Sequence, residues 1–127
     1  MSRGYSPYNG ASFTIGTEAA NAITVNVQFT ENGAEAATCS GRFYLSSDAA
    51  GEVHEAAAAG LSIAVGTDGM ITPVAGSVAP AGDFLSESDG DLDIVITDTS
   101  GANTVYLNFV KPDGSGVFTS GAIIFAA

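Results

Sequence analysis

The feature that most constrains the fold of this chain is a strict alternation of apolar and polar residues within short runs. Between residues 22 and 30, every second residue is isoleucine, valine or phenylalanine, and threonine, asparagine or glutamine lie between them. The same period of two recurs in residues 91–98 and in the last two runs, 104–111 and 117–125. Because successive side chains of a strand point to opposite faces, this pattern predicts antiparallel strands with one face on a core.

The last two runs are joined by residues 111–116, which read KPDGSG. Proline fixes φ for a turn, the Asp113 side chain can accept a hydrogen bond from the nearby backbone, and Gly114 tolerates positive φ. The sequence therefore predicts a terminal antiparallel hairpin whose second strand runs from Val117 to Phe125.

Short runs of this kind, separated by glycine, aspartate and proline, continue along most of the chain. They predict an all-β fold, an antiparallel β-sandwich of seven or eight strands with little helix. Alanines in residues 52–59 predict at most a helical turn or two, and prolines and glycines in residues 73–83 predict a loop or an edge segment. We expect an extended N-terminal arm over residues 1–12 and a single sandwich domain over residues 13–127.

Charge and cysteine content limit the possible partners. Fourteen acidic residues against three basic ones give a net charge of −11, which disfavours nucleic acid and membrane surfaces as partners. No apolar run is long enough to span a bilayer and no secretory signal is evident, so we expect synthesis in the cytoplasm. Cys39 is the sole cysteine, which excludes an intrachain disulfide and predicts a buried thiol.

Two features of the sequence are candidate chemical sites. Asp89, Asp91 and Asp93 have the spacing of the first ligands of a calcium loop, but Ile94 and Ser100 stand where that loop needs glycine and glutamate. A solvated acidic strand face explains the same residues, and calcium binding stays open. His54 is the only histidine and has no nucleophile or metal-ligand spacing around it. We therefore expect no enzyme activity, no cofactor and no metal.

The order of strands resembles small immunoglobulin-like sandwiches. Residues 23–29 (ITVNVQF) are similar to the second strand of such domains, and residues 41–46 (GRFYLS) to the third. The cysteine pair and the tryptophan of antibody domains are missing. The resemblance therefore implies the architecture and not antigen binding.

Three longer phrases resemble small structural proteins of tailed bacteriophages: YLSSDAAG at 44–51, IAVGTDG at 63–69 and YLNFVKPDGSGVFTSGAIIFA at 106–126. Proteins of that kind decorate or cement the capsid. The resemblance implies a non-enzymatic virion protein, made in the host cytoplasm, that binds the major capsid protein on the outer shell. A homo-oligomer and a position on head or tail stay open.

Interface energy comes from a few desolvated anchors, so we expect partner binding through the arm and a loop of small residues. The predicted anchors are Tyr5, Pro7, Tyr8, Ala56, Ala57, Ala58, Ala59 and Gly60. The alternative is an immunoglobulin-like adhesion module that binds host glycans through the polar loop Thr99 to Asn103. The docking face itself is not determined by the sequence.

Overall fold

The computed structural model describes residues 8–53, 61–73 and 81–126, and these residues form eleven strands and no helix. All pairings between the strands are antiparallel. The strands are β1 Gly10–Ile15, β2 Ala22–Glu31, β3 Ala34–Glu35, β4 Ser40–Ser46, β5 Leu61–Val65, β6 Met70–Pro73, β7 Ala81–Leu85, β8 Asp91–Asp98, β9 Asn103–Val110, β10 Val117–Thr119 and β11 Ile123–Phe125.

The strands form two sheets. Sheet 1 has the order β1-β2-β8-β5, with β3 also paired to β2, and sheet 2 has the order β10-β9-β4-β7-β6, with β11 also paired to β9. The predicted antiparallel β-sandwich is confirmed. The strand count exceeds the prediction because several strands are only two to four residues long.

The immunoglobulin-like connectivity is not confirmed. The neighbours β1-β2-β8-β5 and β10-β9-β4 follow the spatial order of the two sheets of such domains. However, β6 and β7, which widen sheet 2 beside β4, come after β5 in the chain. In immunoglobulin variable domains the corresponding added strands precede the strand equivalent to β5.

The core lies between the inner faces of the sheets, as the alternation predicts. The inward-facing apolar residues of β2 and β8 are buried on one side, and those of β4 and β9 on the other. Phe29 stacks on Phe84 with ring centroids 5.0 Å apart, and Phe109 meets both rings edge-on. Each such side chain contributes about 1.5–3 kcal/mol by burial, so this aromatic cluster is a main source of stability.

The predicted second strand of the terminal hairpin is interrupted. Phe118 is paired with Phe109, and Ile123 is paired with Val105. The first residues of these pairs are five positions apart in the chain, whereas their partners are four apart, so one strand has an extra residue. That extra residue is a β-bulge between β10 and β11, and it reverses the faces on which the alternate side chains lie. At the bulge, the Ser120 hydroxyl accepts the Leu107 amide at 2.9 Å and so replaces a backbone acceptor.

The prediction of a loop or an edge over residues 73–83 is confirmed for Pro73, which ends the edge strand β6, and is wrong for residues 81–83. β7 lies inside sheet 2 between β4 and β6. Gly82 is buried and paired with Phe43, so the position carries no side chain opposite a large core ring.

The predicted arm over residues 1–12 is too long. β1 begins at Gly10, and Tyr8 is only 3% exposed. The Tyr8 ring lies 4.6 Å from that of Phe29, and its hydroxyl donates to the Val110 carbonyl at 2.6 Å. The sandwich therefore begins by residue 8, and residues 1–7 lie outside the described part of the chain.

Candidate functional site

The outer face of sheet 1 carries the densest group of chemically distinctive side chains. Asp91 and Asp93 project from β8 and are half-buried. On neighbouring β2, the Asn26 amide nitrogen donates to an Asp91 oxygen at 2.6 Å and to an Asp93 oxygen at 2.7 Å. One neutral amide thus holds two carboxylates in place. We call the outer face of sheet 1 around Asn26, Asp91 and Asp93 the acidic face.

Asp68 joins the acidic face from the turn between β5 and β6. Its backbone carbonyl accepts the Asp93 amide at 2.9 Å, which fixes the turn against β8. Oxygens of the Asp68, Asp91 and Asp93 carboxylates lie within 4.8 Å of one another. A hydrogen bond with Asp91, aided by burial and by the surrounding acids, raises the pKa of Asp68 to about 6. Carboxylates this close share a proton more readily than they all ionise.

The predicted calcium triplet is divided by the fold. Asp91 and Asp93 group with Asp68, whereas Asp89 groups with Glu87 and Asp91. Asp89 belongs to the turn before β8, where its side chain accepts the Asp91 amide at 3.2 Å. Each group offers three carboxylate ligands, and Ca²⁺ takes six to eight oxygens. With one oxygen from each carboxylate, either group therefore supplies half or less of a calcium shell.

Two further acids, Asp83 and Asp98, lie outside the acidic face. Asp83 is on sheet 2, where it pairs with Arg42 at 3.5 Å, and both side chains are largely exposed. Asp98 is 2% exposed at the end of β8. Burial alone would raise the pKa of Asp98, but hydrogen bonds from Ser100 and Asn103 outweigh it and leave that pKa below its usual value.

The loop Thr99 to Asn103, the alternative glycan site, is held by hydrogen bonds to Asp98. The Ser100 amide and hydroxyl donate to one Asp98 oxygen, and the Asn103 side chain donates to the other at 2.9 Å. These groups stabilise the connection from sheet 1 to sheet 2. Their donors are therefore already engaged within the loop.

The outer face of sheet 2 carries a buried polar network. Asn108 and Ser46 are both fully buried, although their strands point them away from the core. The Asn108 amide nitrogen donates to the Ser46 hydroxyl at 2.9 Å, and Thr119 donates to the Asn108 oxygen at 2.7 Å. Residues 47–53 cover this network. The Tyr44 hydroxyl donates to the Gly51 carbonyl and so holds the loop against the sheet.

Asp48 organises the covering loop. Its carboxylate accepts the amides of Glu52 and Val53, both at 2.9 Å. This loop leads directly to residues 54–60. The predicted anchors Ala56 to Gly60, together with His54, lie outside the described residues, as do Tyr5 and Pro7.

Tyr8 is the one predicted anchor that the structure describes, and it is not exposed for binding. Its ring is committed to the chain's own core. Beside it lies a cleft of about 360 Å³ against the β9–β10 turn, lined in part by Lys111 and Phe118. The Lys111 ammonium lies 5.1 Å from the centre of the Phe118 ring, a cation–π distance.

Cys39 is fully buried, as predicted. Burial raises the pKa of its thiol to about 11, so the sulfur is protonated at neutral pH. Its backbone and Ser86 exchange two hydrogen bonds at 2.8 Å.

Sequence reasoning missed Asp68 and Asn108. Asp68 lies 23 residues before Asp91, and only the pairing of β5 with β8 brings the two together. Asn108 has the alternation of an exposed residue. No local signal distinguishes either residue from an ordinary surface position.

Comparisons with known proteins assign no family. No protein-family model matches the sequence, and no curated protein matches it. The chain is similar to the solution NMR structure of a conjugate transposon protein (27–141) from Bacteroides vulgatus, with a TM-score of 0.46 and 13% identity. That likeness covers 100% of this chain and 89% of the other, and it is too weak to carry an argument about function. Among the described residues, no helix could cross a bilayer.

Proposed function

We propose that this chain is a non-enzymatic binding protein that attaches to the surface of a larger protein assembly. The most specific form of the proposal is the decoration of a bacteriophage capsid, in which the chain binds the major capsid protein and stabilises the shell. The resemblance of its strand-and-turn phrases to phage structural proteins supports that form.

The observation that carries the proposal is the acidic face. It consists of short polar and acidic side chains on a regular sheet, and no lysine or arginine of the described residues lies on it. Asn26 donates to the Asp91 and Asp93 carboxylates, and the hydrogen bond from the Asp93 amide to the Asp68 carbonyl fixes the turn that carries Asp68. A preorganised surface of one charge binds a basic partner with little loss of side-chain entropy and attracts it over a distance.

Binding of this kind stabilises a shell by mass action. A ligand that binds the closed shell and not the opened one raises the free energy of opening. Its affinity comes mainly from a few desolvated contacts, with charge complementarity governing the association rate and the salt dependence. No chemical step is required of the chain.

The test is sedimentation of the purified chain with shells assembled from the major capsid protein of the particle that carries it. We expect saturable co-sedimentation that weakens between about 50 and 200 mM salt, and a higher temperature of shell opening. Asp93→Asn should reduce binding, whereas Asp113→Asn, in the exposed β9–β10 turn, is the matched control. Shells that bind no chain at either salt concentration would rule out the capsid assignment.

A further inference from the structure

The four sheet edges of the sandwich differ in how they are protected. β10 and β11 are interrupted by the bulge, and β6 ends at Pro73. The β1 edge is tied to sheet 2 at both ends, by the Tyr8 hydroxyl on the Val110 carbonyl and by the Ala126 amide on the Glu18 carboxylate. Bulges, prolines and covering contacts are the usual means of preventing strand addition.

In the described part of the chain, none of these features protects β5. Its five residues read LSIAV, with no charge, proline or glycine. Within residues 8–53, 61–73 and 81–126, β5 pairs with β8 alone. The Gly66 amide donates to the Asp93 carbonyl at 3.0 Å, in register with the pairing of Val65 and Ile94. Backbone groups alternate in an antiparallel ladder, so the amides of Leu61, Ile63 and Val65 point away from β8.

The carboxylates of the acidic face lie next to this edge. Asp93 is the cross-strand neighbour of Gly66, and a Cβ on Gly66 would lie 2.8 Å from the Asp93 Cβ. Because position 66 is glycine, it places no side chain between the edge of the sheet and Asp93. Neighbouring strands are about 4.8 Å apart, so a residue added opposite Gly66 would lie about 10 Å from Asp93. A lysine or arginine side chain can cover most of that distance.

No basic residue of the described chain neutralises these carboxylates. Arg42 pairs with Asp83 on sheet 2, and Lys111 lies over Phe118 beside the β9–β10 turn. The charge on the acidic face is therefore available to a positively charged occupant of the β5 edge.

We propose that β5 is a docking edge that accepts an extended segment of a partner protein as an added strand, with a lysine or arginine of that segment reaching over Gly66 to Asp68 and Asp93. The backbone of the partner pairs with Leu61, Ile63 and Val65. Main-chain pairing supplies affinity, and the basic side chain sets position and selectivity. This inference rests on the proposed function, since it names the surface through which the chain attaches.

The experiment uses a nine-residue peptide of alternating threonine and valine with arginine at its centre, and a matched peptide with glutamate there. Amide hydrogen exchange of the whole chain is measured by NMR with and without each peptide. We expect the amides of Leu61, Ile63 and Val65 to gain protection, whereas those of Ser62 and Ala64, which face β8, change little. The arginine peptide should bind at least tenfold more tightly, the difference of about 1.4 kcal/mol expected of one favourable charge contact.

Variants separate the two parts of the interaction. Asp93→Asn should remove most of the preference for arginine, and Asp83→Asn, an exposed acid on sheet 2, should leave it unchanged. Ile63→Pro removes an amide that faces the free edge and should abolish binding, with its thermal melt reporting whether the fold persists. If that variant does not fold, the exchange pattern of the unmodified chain decides.

Several outcomes would overturn the inference. Protection of Leu61, Ile63 and Val65 in the dilute chain alone would mean that the chain covers its own edge. Protection that rises with protein concentration without peptide would assign the edge to a second copy. Equal binding of the two peptides would rule out selection of a basic residue in the partner segment. A chain that binds shells but not peptide overturns the edge alone, and one that binds peptide but not shells overturns the capsid assignment alone.

Discussion

The two outer faces of this sandwich have similar alternation in the sequence but different environments. On sheet 1, Asn26 is half-buried and its amide bridges two carboxylates at the surface. On sheet 2, Asn108 is fully buried beneath residues 47–53 and bonds to Ser46 and Thr119. The same residue type is thus a surface contact on one face and the centre of a second, polar core on the other. The covering loop, and not the strand pattern, makes the difference.

The largest change in stability is expected for Asn108→Ala, which is compared with Asn26→Ala. Removing Asn108 takes the donor from the fully buried Ser46 hydroxyl and the acceptor from the half-buried Thr119 hydroxyl, so we expect a loss of about 2–3 kcal/mol in the free energy of unfolding. Asn26→Ala should cost less than about 1 kcal/mol, because water can solvate the two carboxylates. Urea denaturation measures both, and equal losses would contradict the contrast between the faces.

The next prediction compares two edges, the bulge between β10 and β11 in sheet 2 and the regular strand β1 in sheet 1. Ser120→Ala removes the hydroxyl that accepts the Leu107 amide at the bulge, leaving a buried donor unsatisfied. We expect a loss of about 1–2 kcal/mol by urea denaturation. Ser12→Ala, on the exposed face of β1, is the control and should change stability by less than about 0.5 kcal/mol. If the urea midpoint of Ser120→Ala is unchanged, the Leu107 amide must have another acceptor.

The covering loop can be loosened without disturbing the sheet. Tyr44→Phe removes the hydroxyl that donates to the Gly51 carbonyl, at a cost of about 1 kcal/mol. The amides of Glu52 and Val53 should then exchange with solvent faster, because the loop they belong to opens more often. Tyr106→Phe, on the same face of sheet 2, serves as the control. Exchange that is unaltered in Tyr44→Phe would show that the Tyr44 hydroxyl does not hold the loop closed.

The smallest effect is expected at Asp68 on the solvated face. Its pKa is about 6 in the folded chain and 3.8 for the unperturbed group, so the folded state binds more protons between those values. The free energy of unfolding should therefore fall as the pH rises from about 4 to about 6, and Asp68→Asn should remove this part of the decline. Parallel stability curves for the two proteins would contradict the shared proton.

Asp98 supplies a control of opposite sign. Its pKa lies below the usual value, so it stabilises the fold above the pKa of the unfolded state and loses that contribution as the pH falls through its folded value. Asp98→Asn should therefore reduce the acid sensitivity of the chain below about pH 4. Chemical denaturation over a pH series measures both variants on one scale.

Local signals determined the strands and turns that the sequence predicted. The alternation placed every second residue of these strands on the inner faces, where they are buried: Ile23, Val25, Val27, Phe29, Leu92, Ile94 and Ile96. Asn32 and Gly33 adopt positive φ in the predicted turn, and Gly114 does so in the terminal hairpin. These features depend on a few consecutive residues, because the strand period and the φ preferences of glycine and asparagine are local properties.

Contacts between distant segments decided the rest. The pairing of β5 with β8 brings Asp68 to Asp91, and the folding of residues 47–53 over sheet 2 buries Asn108. Tyr8 lies in the core, where its hydroxyl donates to the Val110 carbonyl of β9. The sequence by itself specifies which side chains share a face of a strand. Only the tertiary structure decides what covers that face, because burial depends on segments that are remote in the chain and meet only when the sheets pack.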